Sequence, residues 1–117
     1  NILQGTEYVP DLTDSILFLE HCSESPTPMF NRGLQSLIHQ DGFSGVKAIV
    51  IGRFQKDSGM SDQLLSQVIL SKPELKGIPV ISNVDFGHTT PIITFPIGGR
   101  VEIDLAGDST EIKLIQF

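Results

Sequence analysis

Three short apolar runs, Ile16-Leu17-Phe18-Leu19, Val46 to Ile51 and Ile78 to Ile81, each separated from the next by a helical stretch, constrain the fold of this chain most tightly. A short uninterrupted apolar run is the pattern of a strand buried on both faces. Between the first two runs, Phe30, Leu34, Leu37 and Ile38 fall at i, i+4, i+7 and i+8, one stripe of a helix facing a sheet. Thr27-Pro28 reads as that helix's cap and first residue, and Gly42 as its C-terminal glycine. Between the second and third runs, Ser61 reads as the cap of a helix with the stripe Leu64, Leu65, Val68 and Ile69, which Pro73 stops near Lys72. Strand and helix in this alternation argue for parallel pairing through right-handed crossovers.

The last third changes character. Ile92 to Phe95, Val101 to Leu105 and Glu111 to Ile115 read as strands, and the last two alternate polar and apolar residues, the texture of antiparallel, half-exposed strands. Gly98-Gly99 and Gly107-Asp108 supply tight turns between them. The expected fold is therefore α/β, a mixed sheet with two helices and a β-rich C-terminal end. Residues 1–14 show no clear period and no helix or strand start, and read as a segment entering from an upstream domain, with 15–117 the domain proper.

Composition narrows the function classes. At 117 residues and 39% hydrophobic, the chain holds one core and not two. Its single cysteine, Cys22, allows no internal disulfide, which agrees with a reducing, cytoplasmic home. Eight Lys+Arg against fourteen Asp+Glu give 8 − 14 = −6, the wrong sign for tracking nucleic-acid phosphates. No apolar run approaches the roughly 20 residues that cross a bilayer, so neither nucleic acid nor membrane is expected as a partner.

In open α/β sheets ligands sit beyond the carboxyl ends of the strands, so the polar residues that follow each apolar run are the candidates for chemistry. Glu20 and His21 follow the first, Arg53 the second, and Asn83, Asp85 and His88 the third. Glu20 and His88 can thus converge at one edge, the carboxylate fixing the imidazole's tautomer. His88 lies in Phe86-Gly87-His88-Thr89-Thr90-Pro91, where a glycine and a proline suggest a shaped loop. Arg53 reads either as a carboxylate-binding fork or as an ion-pair partner, and Asn83 and Asp85 either line the same cleft or make the turn before Gly87.

Other readings fall away. His21 and Cys22 are adjacent and point to opposite faces, and His39 has no ligand at metal spacing, so no zinc set is expected. Cys22 as a nucleophile has only His88, at the same edge, to activate it. Gly98-Gly99 lacks the spacing of a phosphate loop. No serine stands on a Gly-x-Ser-x-Gly elbow, so a Glu–His pair in this chain lacks a nucleophile.

Ile16 to Glu20, Val46 to Phe54 and Pro79 to Pro91, continued by Phe95-Pro96-Ile97-Gly98-Gly99, resemble the C-terminal domain of the LD-carboxypeptidase family, and more closely its branch of microcin C immunity proteins. Phe54-Gln55-Lys56 and Val84 to Thr90 carry the likeness to that branch. The resemblance implies a swivelling β/β/α-type domain that supplies Glu20 and His88, 88 − 20 = 68 residues apart, to a Ser–His–Glu triad. The serine then belongs to an N-terminal domain. His21 stands where relatives commonly carry an acidic residue. The resemblance further implies a homodimer with no metal and no cofactor, and hydrolysis of an amide in a murein peptide or a peptidyl-nucleotide antibiotic. The competing reading is a non-catalytic α/β module that binds a small molecule or a partner chain, with the His88 loop as a shaped rim.

Overall fold

The computed structural model describes residues 3–107 and 109–116. Strands β1 (Ile16–Leu19), β2 (Ala48–Gly52) and β3 (Val80–Val84) form a parallel sheet in the order β1-β2-β3, with helices α1 (Thr27–Ile38) and α2 (Asp62–Leu70) as the crossovers. Strands β4 (Arg100–Asp104) and β5 (Glu111–Gln116) pair antiparallel as a second sheet. The α/β class, the two helices and the β-rich end match expectation. The parallel and antiparallel strands, however, lie in two sheets and not in one mixed sheet.

The core is built where the apolar stripes meet. Phe30, Leu34 and Ile38 of α1 and Leu65 of α2 are buried with Ile49 and Ile51 of β2, and Leu17, Leu19 and Val80 from the flanking strands pack against them. Both helices therefore cover one face of the sheet, as right-handed crossovers between sequentially ordered strands require. Only β2 is buried along its whole length, because a three-stranded sheet has one central strand. β1 is half-buried throughout and β3 is partly exposed, which corrects the expectation of burial on both faces. Leu12 also enters the core, so the segment before β1 packs on the domain.

Helix boundaries follow hydrogen-bond demand. Ser61 caps α2 as expected, its hydroxyl accepting from Leu64 N at 3.1 Å. Thr27 does not cap α1. Pro26 holds that position, and the Thr27 hydroxyl donates instead to Ser58 O at 2.6 Å. Nor does Gly42 end α1. The helix closes at Ile38, and Gly42, at φ +80°, opens the short 3₁₀ turn Phe43–Gly45.

Residues 92–95 are not a strand. Pro91 and Pro96 flank them and cannot donate to a ladder, and the segment is held by one backbone bond, Ile93 N to Asp85 O at 2.7 Å. Gly98 consequently sits in a turn that leads into β4 and not between two paired strands. In β4 and β5 the alternation is as expected, with Val101, Ile103, Ile112 and Leu114 on the covered side. Asp108, half of the expected Gly107-Asp108 turn, lies outside the described residues.

Leu34 is 2% exposed, whereas Leu37 is half-buried at the margin of the stripe. Leu34→Ala is expected to cost about 2–5 kcal/mol in a denaturant melt, and Leu37→Ala clearly less. Equal losses would show that the stripe packs about a different centre.

Candidate active site

The three parallel strands end on the same edge, and each delivers one polar residue there. Glu20 directly follows β1, Arg53 follows β2, and Asp85 follows β3. Neighbouring strands stand about 4.8 Å apart, so anything after β3 must cross the end of β2 to reach β1. The loop 86–92 does so. His88 Nδ1 lies 2.5 Å from Glu20 Oε2, and the two side chains are 54% and 39% exposed.

Three features of the chain permit this crossing. The first is Gly52, the last residue of β2. A Cβ there would stand 2.7 Å from the carbonyl oxygen of Phe86, so only a bare backbone lets the loop pass over β2. Gly87 is the second. Its φ of +94° is open to glycine, and a Cβ would meet Glu20 Oε2 at 2.9 Å, so the loop can lie against the carboxylate only through this residue.

The third is a bulge in β3. Val50 faces Ile81 and Gly52 faces Val84, so one residue of β2, Ile51, stands against two of β3, Ser82 and Asn83. Asn83 absorbs the extra residue in the left-handed region at φ +61°, which asparagine tolerates better than most side chains. The bulge re-aims the strand's end. Below the loop, Phe86 is buried against Phe18 and Phe95, with ring centroids 5.5 Å from each, and the Phe86–Phe95 pair is edge-to-face at 88°. This aromatic cluster anchors the loop from the sheet face opposite the helices, and the sequence reading did not include it. The signal was present in Phe18, the one ring in the first apolar run.

The remaining candidates are distributed as follows. The Arg53 guanidinium pairs with Asp85 Oδ1, and Arg53 N donates to Val84 O at 3.0 Å. Asn83 Nδ2 donates to Asp62 Oδ1, at the first residue of α2, at 3.1 Å. His21 Nε2 meets Ser25 O at 3.1 Å, with its ring against Phe30 and Phe54. Cys22 Sγ lies 3.9 Å from Ser25 Oγ, and His39 bonds Gln35 within α1. Among the described residues no group of three His, Cys, Asp or Glu side chains is placed to hold a metal ion.

Chemically the edge presents an imidazole whose Nδ1 is occupied by a carboxylate. That leaves Nε2 as the nitrogen able to exchange a proton with a third group. Among the described residues no serine hydroxyl bonds to His88. Fold and edge together define a class: an α/β domain whose parallel strand ends carry a histidine held by a carboxylate.

Comparison with known proteins then supplies the family. Residues 1–103 match the model of the LD-carboxypeptidase C-terminal domain, and the chain belongs to that family. It is 52% identical over 112 residues to the protein of Bacillus subtilis (strain 168) called "Putative carboxypeptidase YocD", a match covering 96% of this chain and 34% of that protein. Among solved structures it is similar to an MccF-like protein from Bacillus anthracis str. Ames, with a TM-score of 0.93 and 48% identity over 99% of this chain and 36% of that one. It is also similar to muramoyltetrapeptide carboxypeptidase from Oxalobacter formigenes, with a TM-score of 0.71 and 29% identity over 87% of this chain and 36% of that one. The chain spans about a third of the length of these relatives.

Proposed function

We propose that this domain supplies the base and its orienting acid, His88 and Glu20, to a serine carried by an upstream domain, and that the whole protein is a serine-type carboxypeptidase. The observation that carries the reading is the Nδ1–Oε2 contact across the end of β2, made possible by the glycines at 52 and 87. With Nδ1–H held by Glu20, Nε2 takes the serine proton as the hydroxyl oxygen attacks an amide carbonyl. It then returns that proton to the departing amine. Water, deprotonated by the same nitrogen, cleaves the resulting ester and frees the serine. Glu20 keeps the ring in one tautomer and stabilises the charge the ring carries between the two transfers.

The substrate class that follows from the family is a peptide amide next to a terminal carboxylate or an acyl-adenylate-like group. The likeness of Phe54-Gln55-Lys56 and Val84 to Thr90 to the microcin C immunity branch favours the peptidyl-nucleotide side of that choice. The test is to offer a murein tetrapeptide and a peptidyl nucleotide to the protein that carries the upstream domain. Hydrolysis of at least one is expected, faster for the nucleotide. A serine-directed phosphonate should stop it while labelling a residue outside positions 1–117. Neither hydrolysis nor labelling would leave a non-catalytic binding module as the better reading.

A further inference from the structure

The loop that carries His88 is tied down at its root by charges that do not touch Glu20 or His88. Arg53, at the end of β2, pairs through its guanidinium with Asp85, the first residue after β3. The backbone reinforces the same point: Arg53 N and Phe86 N both donate to Val84 O, at 3.0 and 2.8 Å. Asp85 O in turn accepts from Ile93 N at 2.7 Å, which closes the loop 86–92 at its base. Asp85 is thus gripped from β2 by its side chain and from the returning segment by its carbonyl. His88 stands three residues further on.

We propose that the Arg53–Asp85 ion pair is a positioning device: it fixes the direction in which the loop leaves β3, so that His88 reaches across Gly52 to Glu20. The inference rests on the reading of His88 as the base. Arg53 and Asp85 are here positioning residues. Three observations favour this role over a structural one or a substrate-binding one. The pair is part-exposed, 38% and 40%, and such pairs contribute little to global stability, so its removal leaves the fold in place. It joins the two strand ends that the loop must cross. And the guanidinium turns to the root of the loop, its Nη2 paired with Asp85 Oδ1, a buried oxygen that has no hydrogen-bond partner among the described residues.

The experiment has two readouts. In 15N-histidine-labelled protein, the His88 ring nitrogens report whether Nδ1 keeps its proton on Glu20. Arg53→Gln and Asp85→Asn should each shift His88 toward a mixture of tautomers, Arg53→Lys should restore most of the original signal, and the double variant should look like either single one. Melting temperatures should stay close to the parent value. In the protein that carries the upstream domain, Arg53→Gln should lower kcat by up to about 100-fold, the scale of an ångström-sized misplacement, with KM nearly unchanged.

An unchanged His88 signal in Arg53→Gln overturns the proposal, as does a raised KM at constant kcat, which would make Arg53 a substrate-carboxylate fork. His88→Ala, run in parallel, separates the two readings. If it abolishes turnover while Arg53→Gln has no effect, the positioning role alone fails. If His88→Ala leaves turnover intact, the base assignment fails, and the nitrogen spectra still decide what Arg53 does.

Discussion

In the protein that carries the upstream domain, His88→Ala is expected to lower turnover by about 10⁶ and Glu20→Ala by about 10⁴, the scale on which triad bases and their orienting acids act. The double variant should be little worse than His88→Ala, because without the imidazole the carboxylate has nothing to orient. Glu20→Gln keeps the shape of the side chain but can offer an N–H to Nδ1, which holds the ring in the wrong tautomer, so it should behave much like Glu20→Ala. Stability provides the control. Both side chains are substantially exposed and support little packing, so melts should move by no more than about 0.5 kcal/mol. Multiplicative losses in the double variant would show two independent roles, and a large drop in stability would make the pair structural.

What could be read from the sequence follows from which interactions are local. The stripes of α1 and α2, the Ser61 cap and the alternation in β4 and β5 were legible because periodicity and caps depend on neighbours a few residues away. The reading failed where a distant partner decided the outcome. Thr27 looked like a cap but found the Ser58 carbonyl, 31 residues on. Residues 92–95 had a strand's composition, but the prolines on either side removed the donors that a ladder needs. The apolar runs of β1 and β3 promised full burial, which only the number of strands in the sheet could grant or refuse. At the edge, the rule about strand ends gathered Glu20, Arg53, Asp85 and His88, yet it could not order them. That His88 must cross β2 to reach Glu20, and that Gly52 leaves room for that crossing, becomes visible only once β2 is known to be the middle strand.

The second large effect concerns division of labour: the 117-residue chain by itself is expected to hydrolyse neither murein tetrapeptides nor peptidyl nucleotides above background. Its histidine is well held and can take a proton, but an exposed base acting on water alone lacks what makes acyl transfer fast. A serine oxygen has to form the covalent intermediate, and donors have to be aimed at the oxyanion that develops on the carbonyl. Removing the nucleophile from a triad enzyme costs about 10⁶ in turnover, and the oxyanion donors account for most of what then remains. Among the described residues no serine hydroxyl bonds to His88. Adding the upstream domain in the same polypeptide should therefore restore activity by many orders of magnitude, measured as release of the terminal residue or of the nucleotide. Saturable hydrolysis by the 117-residue chain alone that survives His88→Ala would overturn both the role of His88 and the assignment of the nucleophile to another domain.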